Sequence, residues 1–150
     1  MCNFLSAIVT RQGELFCNPL TDAHEDLIEL YQLKDNGMNH FIRVEFSPED
    51  HNDLAKIECY KLEVDESSTP KWFDEELEAK VIRKLKSILK GIIIIEDRKI
   101  LIDGAYIVSG CQISLMKQCR VVGVLNGGTV QEVLNGGTVQ ENFNKKLIFN

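Results

Sequence analysis

Val124-Leu125-Asn126-Gly127-Gly128-Thr129-Val130-Gln131-Glu132 is followed at once by Val133-Leu134-Asn135-Gly136-Gly137-Thr138-Val139-Gln140-Glu141, the same nonapeptide without a mismatch. A perfect tandem copy means that one small backbone unit works when placed beside itself. Asn126-Gly127-Gly128 and Asn135-Gly136-Gly137 are turn signals, because Asn and Gly tolerate the positive φ of tight turns. Thr129-Val130-Gln131-Glu132-Val133-Leu134 lies between them, rich in β-branched residues, and is expected to be a strand. The chain here reads turn, strand, turn, strand.

The nine-residue phase extends beyond the two copies. Met116 and Val121 precede it in step, Phe143 and Ile148 follow it, and Ile107 and Ile113 fit with one inserted residue. Short units that cannot bury an apolar face alone must stack on their neighbours. Two architectures satisfy this over residues 105–150. One is a β-solenoid of parallel rungs; the other is an antiparallel β-meander with three-residue loops carrying Gly at the left-handed position. The solenoid is favoured, because identical side chains stack naturally in parallel rungs. The calcium-binding nonapeptide roll needs Gly-Gly-x-Gly-x-Asp, with Asp carboxylates on the ion. Gly-Gly-Thr-Val-Gln-Glu lacks that Asp, so the repeat is read as structural. A short stack has open edges that invite another chain, and a homo-oligomer formed through the C-terminal repeat is expected.

Residues 1–104 read as an α+β domain. Residues 4–10 and 15–17 form a candidate hairpin around Arg11-Gln12-Gly13-Glu14. Asp22 has the chemistry of a helix N-cap, with Glu25 as its capping-box partner. That helix should stop near Asp35-Asn36-Gly37. Residues 40–46 and 57–64 alternate apolar and polar, as half-buried strands do. Ser47-Pro48-Glu49-Asp50 suggests one or two helical turns. Asp74 to Lys90 is the strongest helix, with Leu77, Val81, Leu85, Ile88 and Leu89 on one face and Gly91 as its cap. Strands at 92–95 and 99–102 flank the Glu96-Asp97-Arg98 turn, and the isoleucine run is expected to be buried on both faces. The fold expected is therefore an antiparallel sheet with two helices laid on one face, followed by a solenoid-like or meander repeat.

The chain has 150 residues, 44% of them apolar, which suffices for one sizeable core. Its net charge of −6 and scattered lysines argue against nucleic-acid binding. The longest purely apolar run, Ile92 to Ile95, is far too short to span a bilayer, so no membrane association is expected. Five cysteines without a Cys-x-x-Cys pair support neither a disulfide framework nor a zinc site, and the start of the chain lacks a signal-peptide pattern. The compartment expected is a reducing cytoplasm.

Candidate chemistry is sparse. Cys2 would carry a thiol and a free α-amine together if Met1 were removed, a self-contained nucleophile and base. The opening Met-Cys-Asn-Phe-Leu-Ser-Ala-Ile-Val resembles the start of N-terminal-nucleophile amidotransferases, but Asn3 stands where they carry glycine. His24, with Asp22 or a distant carboxylate, has the chemistry of an acid–base pair; the plainer reading is a helix start whose acids complement the dipole. His40 and His51 are isolated. Asp65, Trp72 and Phe73 flank a polar loop able to line a pocket, although Trp72 and Phe73 also read as a hydrophobic staple on the long helix. No spacing of His or carboxylates suggests a metal, and no glycine-rich phosphate loop, nucleophile elbow or dinucleotide fingerprint occurs. No cofactor is expected.

The whole chain resembles a group of uncharacterised bacteriophage and prophage-type proteins. The residues that carry the resemblance are Met-Cys-x-Phe-x-Ser-Ala-Ile at 1–8, Asp-Ala-His-Glu-Asp-Leu-Ile at 22–28, Arg-Val-Glu-Phe-Ser-Pro at 43–48, and Val-Asp-Glu with Pro-x-Trp-Phe at 64–73. The Gly-Gly-Thr-Val stretches that end at Val130 and Val139 match the C-terminal Gly-x-x-Val repeat of that group. The resemblance implies a viral or mobile-element origin, a host-cell cytoplasmic location and a two-part architecture; it supplies no catalytic residue. Three functions stay open. The leading one is a non-enzymatic accessory protein whose α+β part binds a host protein or small-molecule partner while the repeat oligomerises. The second is a small hydrolase using Cys2 or His24. The third is a binder that sequesters a small host signalling molecule.

Overall fold

The computed structural model describes residues 5–34, 40–50, 54–102, 105–117, 120–125, 129–130, 133–134 and 138–142. Cys2, His51, Asp35-Asn36-Gly37, the two Asn-Gly-Gly turns, Phe143 and Ile148 lie outside them. The chain divides into two compact units, residues 1–49 with 60–87 and residues 50–59 with 88–150.

Four antiparallel strands build the first unit: β1 (Leu5–Thr10), β2 (Leu15–Cys17), β3 (Phe41–Pro48) and β4 (Tyr60–Val64), in the order β2-β1-β3-β4. Two helices accompany them, α1 (His24–Leu30) and α2 (Glu75–Ile92), which continues into the second unit. The α+β class, the antiparallel sheet and the two helices are as the sequence led us to expect. The β1–β2 hairpin closes where Gly13 invites it. The Gly13 amide donates to the Thr10 carbonyl, the Thr10 amide donates to the Glu14 carbonyl, and Gly13 sits at φ +82°. This is a type I turn followed by a left-handed residue, which matches the twist of the strands it joins.

The alternation of β3 is complete: Ile42, Val44, Phe46 and Pro48 are buried between half-buried neighbours. Registers Leu5↔Phe46, Ala7↔Val44 and Phe46↔Leu62 put these apolar residues on one face. Phe46 stacks at 5.3 Å on Tyr60. Each fully buried side chain of this size contributes about 2–3 kcal/mol of transfer free energy. β1 differs in that all six of its residues are buried. Both of its faces are therefore covered. α1 takes the Ser6 and Ile8 side, because the Ser6 hydroxyl donates to the Asp22 carbonyl at 2.7 Å at the entry to that helix.

Several local expectations shift. Ala23, not Asp22, is the N-cap of α1, and it makes no side-chain cap bond. Thr21 organises the entry instead: its hydroxyl accepts from the Ala23 amide and donates to Asp26 at 2.6 Å. The capping box with Glu25 is thus pre-empted by the Thr21 turn. α1 ends at Leu30, ahead of residues 35–37. The Leu33 amide donates to the Ile28 carbonyl and the Gln32 amide to the Glu29 carbonyl, with Gln32 at φ +53°. That pattern is the Schellman stop, with glutamine in the place usually held by glycine.

Ser47 and Pro48 do not start a helix. β3 runs through them, and Pro48 pairs opposite Tyr60 at the strand end, where proline's missing donor is tolerated. Ile57–Cys59 forms a 3₁₀ turn rather than the first half of a strand, closed by the Cys59 amide on the Lys56 carbonyl. The strong helix is present, with Asp74 just ahead of it instead of in its first turn: Asp74 Oδ1 accepts from the Leu77 amide at 2.9 Å, the bond a helix N-cap makes. Val81, Leu85 and Leu89 are buried along the stripe that the sequence marks. Gly91 does not cap α2, which continues to Ile92.

The second unit contains parallel ladders. One sheet has the order β12-β9-β7-β5, formed by Thr138–Asn142 (β12), Arg120–Leu125 (β9), Ala105–Ser109 (β7) and Ile93–Ile94 (β5). In the other, Arg98–Ile102 (β6) pairs with one edge of Gln112–Lys117 (β8), and Thr129–Val130 (β10) and Val133–Leu134 (β11) pair with β8 as well. Every pairing in both sheets is parallel. β10 and β11 keep a single register against β8, with Thr129↔Gln112 and Leu134↔Lys117. They are thus two pieces of the strand expected at 129–134.

Strands expected on either side of residues 96–98 are present, but β5 and β6 belong to different sheets. The ladders therefore begin at Ile93, ahead of residue 105. The isoleucine run is not buried on both faces: Ile92 and Ile94 are buried, Ile93 is half-buried and Ile95 is 68% exposed. Ile94 thus meets the core while its neighbours Ile93 and Ile95 are half-buried and exposed. At the corner between β7 and β8, Gly110 adopts φ +65°, the buried Cys111 thiol donates to the Ile94 carbonyl at 3.3 Å, and the Gln112 amide donates to Asp97 Oδ1 at 2.7 Å.

Candidate functional site

Local chemistry delivers His24 to a buried position. Ser6 and Thr21 fix the chain on either side of Asp22, and His24 follows as the first residue of α1. Its ring is 3% exposed. Nε2 lies 3.0 Å from the Val44 carbonyl oxygen. A carbonyl can only accept, so Nε2 carries the hydrogen and donates it. The tautomer is thereby fixed, and Nδ1 presents either a lone pair or, if the ring is protonated, a second N–H.

Nδ1 faces a carboxylate. Asp65 Oδ2 is 3.4 Å away, on a side chain 57% exposed. Asp65 is held just past the end of β4 by its own amide, which donates to the Arg43 carbonyl at 2.9 Å. Glu45 comes from β3, one residue beyond Val44, in register with Ser6 on β1. One ligand-type atom from each of His24, Glu45 and Asp65 falls within 4.8 Å of the other two. The cluster thus joins a buried nitrogen, a half-buried carboxylate and an exposed one.

Beside it, Arg43 Nη1 meets Glu66 Oε1 at 3.0 Å. The same oxygen accepts from the Arg43 amide at 3.1 Å, and the guanidinium lies 5.6 Å from the centre of the Phe41 ring. This clamp ties the loop after β4 to β3 and so holds Asp65 in place.

Of the residues that the sequence singles out, His24 and Asp65 come together, Asp65 being a distant carboxylate that faces the histidine. Trp72 and Phe73 lie elsewhere. Their rings meet edge to face at 6.3 Å, with Phe73 buried ahead of α2. Trp72, Asp74, Glu76, Leu77 and Lys80 line an open depression of about 250 Å³, smaller than the clefts that usually hold a drug-sized ligand. His40 is exposed. Glu45 escaped sequence reasoning. Its alternating strand announces a solvent-side position, and nothing local announces a histidine across the sheet. Burial pushes the Cys17 thiol up to about 12, so this cysteine is a poor nucleophile near neutral pH.

Both nitrogens of His24 are engaged, one by a backbone carbonyl and one by a carboxylate. The arrangement is suited to hold a cation or a proton at Nδ1, and it offers no nitrogen directed at an incoming substrate. Comparisons with protein families, with curated proteins and with solved structures give no match.

Proposed function

We propose that this chain is a non-enzymatic accessory protein in which the α+β unit recognises a partner and the parallel ladders assemble copies through a short two-sheet β-solenoid. The observation that carries this reading is the spacing of the parallel registers. Ile107 pairs with Ile93, Ile113 with Arg98, Val130 with Ile113 and Val139 with Val121, steps of 14, 15, 17 and 18 residues. Each step passes through a strand of the other sheet, as one turn of a two-sided coil does.

In this reading a coil takes two nonapeptides. Thr129-Val130 lies in the sheet of β8, while the identical Thr138-Val139 lies in the sheet of β9. Each nonapeptide supplies one strand and one turn, and a two-sided coil needs two of each. The perfect copies therefore face one another across the coil instead of stacking. Parallel pairing supports the stacked rung over the meander, whose neighbouring strands would run antiparallel.

Assembly follows from where the ladder ends. Among the described residues β12 pairs on one edge only, with β9. An unpaired row of backbone donors and acceptors is a template for a further strand. The origin in a phage or prophage is the part of the reading carried by the resemblance of residues 1–8, 22–28, 43–48 and 64–73.

Light scattering of the full chain across a hundredfold range of concentration tests the assembly. A dimer or larger species is expected, and Gln140→Pro in the centre of β12 should shift it towards monomer. A chain that stays monomeric at the highest concentration sinks the proposal.

A further inference from the structure

We infer that His24, Glu45 and Asp65 form a binding site for a divalent transition-metal ion of the zinc type. Three observations converge on it. The first is the fixed tautomer. Nε2 donates to the Val44 carbonyl, which leaves Nδ1 of the neutral ring as a lone pair beside the Asp65 carboxylate. A metal-bound histidine almost always donates its other N–H to a carbonyl or carboxylate in this way, because that bond orients the ring and raises the basicity of the ligating nitrogen.

The second observation is a distance. Nδ1 and Asp65 Oδ2 are 3.4 Å apart, longer than the 2.7–2.9 Å of a charge-assisted N–H to O bond. Two ligands about 2.1 Å from a tetrahedral ion are themselves separated by about 3.4 Å. The pair is spaced to share an ion rather than a proton.

The third is the third ligand. Glu45 lies on β3 beside the residue whose carbonyl holds His24, and its carboxylate completes a group of three atoms within 4.8 Å. Closing 4.8 Å to bonding geometry needs only a rotation of the half-buried Glu45 or the exposed Asp65, while His24 supplies the rigid anchor. Two carboxylates neutralise a dication, and the imidazole favours zinc over magnesium and calcium, which prefer oxygen ligands throughout. Three protein ligands leave a position for water. This site does not depend on the assembly reading, since all its residues belong to the first unit.

The experiment is calorimetric titration of Zn²⁺ into the chelator-treated full-length chain, with Mg²⁺ in parallel, on wild type and on Glu45→Gln, Asp65→Asn and His24→Gln. His24→Gln keeps an N–H able to reach the Val44 carbonyl but removes the ligating nitrogen. Cys59→Ser serves as a thiol control, and circular dichroism verifies that each variant is folded. One zinc per chain is expected, with no saturable Mg²⁺ binding, a tenfold or greater loss of affinity in each of the three site variants and none in Cys59→Ser. Absence of saturable binding in the wild type overturns the inference. So does zinc binding that survives all three substitutions, or that is lost in Cys59→Ser.

Discussion

His24 on α1 and Asp65 beyond β4 are 41 positions apart in sequence, yet their side chains stand 3.4 Å apart. The histidine is anchored by the Val44 carbonyl and the aspartate by the Arg43 carbonyl. Two consecutive carbonyls of one strand thus set the spacing of the pair. The pair tests the packing of α1 directly. His24→Ala removes a buried ring and the donor to Val44, and should cost about 2–4 kcal/mol. His24→Gln should recover part of that, because its amide can still donate. Urea midpoints of the two variants measure the difference, and equal midpoints would show that the Val44 bond contributes nothing.

Gln32 invites a stabilising change. It sits at φ +53° in the Schellman stop of α1, a conformation that costs an L-residue about 1–2 kcal/mol. Glycine avoids that strain but loses more entropy on folding. The expected net effect of Gln32→Gly is a gain of about 0.5–1 kcal/mol, read as a higher melting temperature. A lower one would mean that the glutamine side chain contributes more than its backbone strain costs.

Gly110 makes the opposite prediction. At φ +65° it turns the chain between β7 and β8, which belong to different sheets. Gly110→Ala should destabilise by about 1 kcal/mol, and Gly110→Val by more, since a β-branched residue tolerates that region least. Thermal unfolding followed by circular dichroism gives the comparison. If valine and alanine are both neutral, the corner does not require the left-handed conformation.

Cys17 should resist alkylation. With its thiol held at about 12 instead of 9.0 by burial, its thiolate population near pH 8 falls roughly a thousandfold. Iodoacetamide labelling read by peptide mass spectrometry should show Cys17 slow in the native chain and fast in urea. The linkage has a definite sign. The folded value is raised, so the stabilisation is complete below pH 9 and is lost as the pH climbs towards 12. Cys17→Ala should flatten that alkaline loss.

Repeat number gives a parity test of the proposed coil. Two extra nonapeptides inserted after Glu141 would add one full turn and leave the following residues on the same sheet. One extra copy would move them to the other sheet. The two-copy variant should therefore match the wild type in thermal stability, and the one-copy variant should fall below it by about 1 kcal/mol or more through lost strand pairing. Equal stabilities would argue for a nine-residue coil.

The sequence by itself determined the features made by residues within about five positions of one another. The Gly13 hairpin, the alternation of Ile42, Val44 and Phe46, and the α2 helix with its Val81 and Leu85 stripe are of this kind. Their energies depend on local backbone geometry and on the period of the apolar pattern, both of which are written in the chain. Competing local interactions misled where two were available, as at Asp22, where the Thr21 hydroxyl wins the entry to α1. Tertiary structure alone decided the rest. Whether the nonapeptides pair with each other or across a longer interval depends on ladders between strands 14 to 18 residues apart, and the repeat is equally regular in both cases. The meeting of His24, Glu45 and Asp65 likewise needed β3, β4 and α1 to be docked. None of the three marks the others in sequence, because their only connection is the sheet that brings them within 4.8 Å.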